Sequence, residues 1–357
     1  MVNKKIYING VGVISPQKTF DNSNFLDEPV AVESLRLKCV DPNYREFIAG
    51  DMIRRMGRII KMGIAASKIS LQDAGCTMPD AIITGTGLGC IEDTEKFLSS
   101  MILNKEEFLT PTSFIQSTHN TVSAQIALLL KCHNYNFTYV HRGISFESAL
   151  IDSMMRINSG QAGNILAGSA DELTTNSFTI MQRLGFWKRK PVNNLRLLED
   201  KTRGTIAGEG AAFFVISDQP GEKVYAEIKD VETFIYPEEI SETKLHISNF
   251  LARNQVTAGD ISLLITGMNG DPSFDKMYHE VSDQLFLNTG KGYYKHLCGE
   301  YHTSVSFALW LAAMVMRNQR IPEVMKLQEP VTKDIKNILI YNHYININHS
   351  LILVSKA

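Results

Sequence analysis

Runs of apolar, β-branched and aromatic residues alternate along this chain with runs whose apolar positions recur every three to four residues. The first pattern marks strands and the second amphipathic helices, so their alternation predicts an α/β protein. IYINGVGVIS (6–15) reads as a strand with a glycine-containing end, and MIRRMGRIIKMGIAASKISLQDAG (52–75) as a long helix. That helix carries Ile53, Met56, Ile60, Ile64 and Leu71 on one face, with small Ser67 in the gap of the stripe and Gly75 as its stop. AIITGTGLG (81–89) is a strand entering a glycine turn, Asn120 to Leu130 a buried helix, and NFTYV (136–140) a short strand. From Ser145, the positions Phe146, Ala149, Leu150, Met154 and Ile157 form one helical face closed by Gly160. NILAGSADE (164–172) and GEGAAFFVISD (208–218) are strands again.

The polar stretch QPGEK that follows reads as a joint, and the grammar then starts over. YAEIKDVETFIY opens the second half, a helix follows near 240–254, then the strand SLLITGMNGD, a helix from about 273, and the terminal pair ILIYNHY and LILVSK. No strict sequence repeat accompanies this, yet two halves that each begin with a strand suit a duplicated architecture divided as 1–218 and 219–357.

Composition narrows the partners. With 36 basic and 38 acidic residues the formal charge is −2, which offers no basic field for nucleic acid or an anionic membrane. Five widely spaced cysteines without a CxxC signal neither a disulfide framework nor a zinc site, and fit a reducing cytoplasm. The longest strongly apolar run, Phe307 to Met316, is too short to span a bilayer and reads as a buried helix. The N-terminus enters strand-like sequence directly, without a signal-peptide core. GTGLG (85–89) lacks the full spacing of a dinucleotide loop, so no nucleotide cofactor is expected, and no metal is.

TYVHRGISFESALIDSM (138–154) reads as strand, tight turn and helix, the geometry with which enzymes present a nucleophile. IYINGVGVISP, AIITGTGLG, TPTSFIQSTHNTVSAQIALLL, AGSADE and RGTIAGEGAAFFVIS surround it in order. Together these stretches resemble the β-ketoacyl synthases of the thiolase fold over nearly the whole chain. The resemblance implies a layered αβαβα fold with two pseudo-duplicated halves. It also implies a mechanism in which a cysteine accepts an acyl chain from a carrier protein and two histidines stabilise the negative charge that develops during decarboxylation.

Mapped onto that family, each catalytic position is degenerate. Counting back from SGQAGNILAGSADE places the nucleophile on Gly143, which has nothing to acylate. The first histidine falls on Gly267, or with a two-residue shift on Asn269, and an amide cannot move a proton near neutral pH. Lys295 fits the family lysine, while the second histidine falls on Glu300, where a carboxylate would repel an oxyanion. The closing glycine loop corresponds to HYININ (343–348), with His343, Ile345 and Asn346 at its glycine positions, and such bulk is expected to alter the loop's path. This pattern resembles the chain-length-factor subunits of bacterial polyketide and aryl-polyene systems, which pair with a catalytic synthase.

In that fold the strand before the nucleophile pairs across a two-fold, which would put Phe137 and Tyr139 of NFTYV at the centre of an interface. Residues near Thr118, Asn120 and Val122 would then reach toward the partner's acyl tunnel, with Phe114 and Ile115 as the bulky candidates. The partner implied is a catalytic ketosynthase or a second copy of this chain, with an acyl carrier protein as a further possibility. Other readings stay open. Gly143 is also an ordinary turn glycine, and Asn269-Gly270-Asp271 an ordinary turn. Cys298 and His302 stand at i, i+4 and on a helix would share a face, and His141 could serve Ser145 as a base. Either pair would give an acyltransferase or hydrolase with a rebuilt site. WKRKP (187–191) reads as a solvated loop, or as a contact for an acidic carrier.

Overall fold

The computed structural model describes residues 4–23, 25–109 and 111–357. Its strands are β1 (Tyr7–Ile14), β2 (Glu33–Ser34), β3 (Ala81–Gly85), β4 (Tyr135–Tyr139), β5 (Asn164–Asp171), β6 (Val192–Asn193) and β7 (Gly210–Ser217). They continue with β8 (Ala226–Ile235), β9 (Leu263–Thr266), β10 (Gly290–Tyr293), β11 (Lys326–Gln328), β12 (Asn337–Tyr344) and β13 (Asn348–Ser355). The helices are α1 (Gly50–Ile53), α2 (Arg58–Ala74), α3 (Ile91–Leu103), α4 (Pro111–Gln116), α5 (Thr121–Leu130) and α6 (Ser145–Asn158). Then come α7 (Thr175–Arg183), α8 (Ile240–Arg253), α9 (Pro272–Leu285), α10 (Lys295–Cys298) and α11 (Val305–Asn318).

Eleven strands form one hydrogen-bonded series, β11-β10-β9-β12-β13-β8-β1-β7-β5-β3-β4. Read outward from its middle, the series repeats itself. The order β1-β7-β5-β3-β4 has the same pattern of antiparallel and parallel neighbours as β8-β13-β12-β9-β10. The two sets meet where β1 and β8 pair antiparallel through Tyr7↔Glu227 and Ile8↔Ala226. Strand pairing thus carries a duplication that residue identities have lost.

Three apolar clusters separate five layers. One joins α2 and α5 to the outer face of the first strand set, and another joins α8 and α9 to the outer face of the second. Between the sets lies the largest, built on α6 and α11. From Val305 to Met316, α11 is buried on every side, as a helix must be when both faces meet sheet. Strands β5 and β7 are likewise buried on both faces, which explains their unbroken apolar runs. Tight contact also selects glycine on β1: a Cβ on Gly10 or Gly12 would overlap the carbonyls of Ser70 and Ala66 on α2.

Local expectations failed at three places. The helix expected over 52–75 breaks, so Ile53 ends α1 and α2 begins at Arg58, because Gly57 takes a non-helical backbone with φ of −59° and ψ of 164°. The helix at 121–130 is buried on one side only, with Leu128 63% exposed. WKRKP is not simply solvated: Lys188 is fully buried and donates to Asp200 Oδ1 at 3.1 Å, Thr202 O at 2.6 Å and Gly270 O at 2.9 Å.

Candidate functional site

Strand β4 runs through Val140 and His141 into a 3-10 turn at Arg142–Ile144 and then into α6. Arg142 takes the left-handed conformation of this elbow, with φ of 50°. Gly143 is required by packing. A Cβ there would lie 2.5 Å from Tyr344 Cβ, 3.0 Å from Tyr344 Cγ and 3.2 Å from Asn348 Oδ1. The hairpin of β12 and β13 therefore fills the space that a side chain at position 143 would need.

Position 267 is closed in the same way. A Cβ on Gly267 would overlap Asn342 Oδ1 and come within 2.6 Å of the Tyr278 hydroxyl and 3.2 Å of Lys295 Cε. Asn269 donates through Nδ2 to Glu300 Oε2 at 2.8 Å. Lys295 Nζ donates to the same oxygen at 2.8 Å and to His343 O at 3.2 Å. Both charged side chains are almost wholly buried, at 0% and 4% exposure. The carboxylate at position 300 is thus one half of a buried ion pair. Such a pair is costly to break, roughly 3–5 kcal/mol, because the remaining charge is stranded away from water.

Above this pair lies a carboxyl that sequence reading missed. Glu147 on α6 is fully buried, and neither of its oxygens has a hydrogen-bond partner among the described residues. Burial pushes its pKa up to about 7, against the weaker pull of the Ser350 hydroxyl, which lies near it without a hydrogen bond of good geometry, and of the Lys295 charge. Its acidic identity inside an otherwise apolar helical face was the available signal.

The closing segment does not avoid the glycine region of backbone space. Ile345 and Asn346 take φ of 48° and 55° in succession, and the Ile347 N–H donates to Tyr344 O at 3.0 Å. A β-branched residue is out of place there. Register holds it: β12 and β13 pair without interruption from Asn337↔Ser355 to Tyr344↔Asn348. His343 is buried and neutral, its Nε2 bonding to Phe274 O at 3.1 Å while Nδ1 accepts from the Asn346 N–H at 3.3 Å. Burial holds its pKa well below the usual range. Tyr344 stacks on His302 with ring centroids 4.7 Å apart, and burial lowers the His302 pKa against the pull of Asp171 and Glu300.

The profile of the β-ketoacyl synthase N-terminal domain matches residues 8–220. The chain belongs to the β-ketoacyl synthase family. No curated protein matches its sequence. Its fold is similar to the ishigamide ketosynthase/chain length factor, at 18% identity over 100% of both chains with a TM-score of 0.82. A ketosynthase in complex with its chain length factor from Xenorhabdus doucetiae aligns at 15% identity over 99% of this chain and 98% of that one, TM-score 0.79. A β-ketoacyl synthase from Burkholderia phymatum aligns at 16% identity over 99% of both, TM-score 0.78.

Within this ketosynthase fold, neither substitute nucleophile is assembled. Helix α10 ends at Cys298 and Gly299 turns away with φ of 77°, so Cys298 and His302 do not share the expected helix face. The Cys298 thiol is fully buried, donates to Gly299 O at 3.3 Å, and is pushed well above its usual pKa by burial. Ser145 is spent on the elbow: its hydroxyl accepts the His141 N–H and donates to Arg142 O, both at 2.8 Å. The His141 ring turns instead to Ser148 Oγ, at 3.2 Å, whose hydroxyl donates its single hydrogen to Ile144 O with an Oγ–O distance of 2.8 Å.

The interface candidates divide. In the ketosynthase sheet β4 is the last strand, so one of its edges is open. Tyr135, Phe137 and Tyr139 form a ring ladder along it, with centroids 6.1 Å and 4.9 Å apart, and Phe137 is 45% exposed. Phe114 and Ile115 on α4 are 56% and 64% exposed, and Thr118 and Asn120 also face solvent. Val122 does not join them. It is buried against Gly63 of α2, inside the chain's own outer core.

Proposed function

We propose that this chain is a non-catalytic ketosynthase-like subunit of chain-length-factor type. It pairs with an active β-ketoacyl-ACP synthase in a cytoplasmic pathway of polyketide, aryl-polyene or fatty-acid-like biosynthesis. The observation that carries the proposal is the contact of Gly143 with Tyr344: a nucleophile is absent and its volume is occupied. The Lys295–Glu300 pair adds to this, since it binds the remaining cation internally rather than offering it to a substrate. The names of the similar structures point the same way, because they describe a ketosynthase together with its chain length factor. A division at residues 218 and 219 suits the reading, since β7 closes the first strand set and β8 opens the second.

An acyl carrier is a fitting third component. A cleft of about 900 Å³ between the two halves is lined by Arg183, Arg189, Lys190 and Arg203 together with Trp187 and Phe274, its cations outnumbering the carboxylates Asp200 and Asp271, and this suits an acidic protein bearing a linear acyl group. The described residues include no helix long and apolar enough to cross a membrane.

The test is co-expression with the neighbouring genes, asking whether a ketosynthase with an intact nucleophile comes with this chain. Co-purification of the two, with condensation of acyl and malonyl thioesters requiring both, is the expected outcome. Condensation or thioester turnover by this chain alone would defeat the proposal.

A further inference from the structure

The open edge of the sheet carries a charge pattern that the chain as a whole does not share. From Pro111 to Phe146 no aspartate or glutamate occurs, although acidic residues outnumber basic ones in the full sequence, 38 to 36. This segment comprises α4, α5, β4 and the elbow. Its formal cations are Lys131 and Arg142, both exposed, with His119, His133 and His141 exposed beside them. Asp152, the nearby acid on α6, is already engaged by Arg156 at 3.1 Å and by the Tyr135 hydroxyl at 3.3 Å. Around the cations lie exposed Phe114, Ile115, Leu128 and Phe137. A groove of about 530 Å³ between α5 and the start of β4 is lined by Leu128, Lys131 and His133.

We infer that this face selects a partner strand of opposite charge and works against pairing of the chain with itself. The inference rests on the reading of β4 as a docking edge, and it names what docks there: a different protein whose own edge strand is flanked by acidic residues. Antiparallel self-pairing centred on Phe137 would pair Tyr135 with Tyr139 of the second copy and bring the segment that enters β4, with Lys131 and His133, beside the segment that leaves it, with His141 and Arg142. Lys131 and Arg142 would become neighbours twice in one interface, because a two-fold repeats every contact. Like charges across a strand pair are destabilising, and such juxtaposition rejects wrong partners while the apolar centre supplies affinity. The exposed rings and the strand edge favour a protein over a nucleic acid as the occupant.

The chain itself provides the probe. Lys131→Glu/Arg142→Glu variant protein is mixed with wild type, and association is measured by sedimentation for each protein alone and for the mixture. The mixture is expected to associate at least tenfold more tightly than either protein alone. That gain should shrink between about 0.1 M and about 1 M salt, where the screening length falls from ~10 Å to ~3 Å. Phe137→Asp in either component should abolish it. If the double variant melts below wild type, Lys131→Glu alone replaces it. Wild type that self-associates as tightly as the mixture overturns the charge selection while leaving β4 as a docking edge. No association in any combination overturns both.

Discussion

Substitution of Gly143 by cysteine supplies the missing thiol, and the structure argues that it will not supply the activity. The new Cβ would stand 2.5 Å from Tyr344 Cβ and 3.0 Å from Cγ, while comfortable carbon contacts lie at about 3.5–4.0 Å. Tyr344 cannot retreat easily, because it ends β12 in register with Asn348 and its ring is stacked on His302. Overpacking of this kind costs about 1–3 kcal/mol. Gly143→Cys should therefore lower the unfolding free energy by that amount in urea titration and take up no acyl group from a long-chain acyl thioester, as read by intact mass. A double-mutant cycle with Tyr344→Gly, which removes the clashing Cβ that alanine would keep, isolates the clash. In that background the cysteine should cost under about 1 kcal/mol, since the side chain it meets is gone. A cysteine variant of wild-type stability that becomes acylated would refute the reasoning, because it would show the space to be free.

Three further outcomes follow from the same region. Ile345→Gly should stabilise the protein by up to about 1 kcal/mol, since a β-branched residue at φ of 48° carries a left-handed cost that glycine avoids, and the urea midpoint reads this. Lys295→Met should destabilise by roughly 3–5 kcal/mol by stranding Glu300, and Lys295→Met/Glu300→Leu should recover most of the loss. Glu147 has its carboxyl pKa raised to about 7, above its unfolded value, so the native state binds the extra proton and stability falls as pH rises from about 4.5 to 7. Glu147→Gln should remove that slope, raising stability at pH 8 relative to wild type and leaving it similar at pH 4, as measured by denaturation at the two values.

Much of the fold is legible along the chain because strands and amphipathic helices declare themselves through local periodicity. The run from Phe307 to Met316 reads as a buried helix and lies within α11, and the strand, turn and helix around Gly143 stand where the sequence pattern puts them. The vacancy at 143 is equally a sequence property, since a residue without a side chain cannot be acylated wherever it folds. Position 300 was identified, but its partners Lys295 and Asn269 were not, since only the folded chain brings both to one oxygen. Tyr344 was invisible as the occupant of the nucleophile's space, because the contact joins the first strand set to the hairpin of the second. Likewise, i, i+4 spacing joined Cys298 to His302 until Gly299 ended the helix, and Val122 faced a partner until α2 covered it. Local patterns are set by neighbours in sequence, whereas charge compensation, occupied volume and side-chain direction depend on segments that meet only when the two strand sets close around α6 and α11.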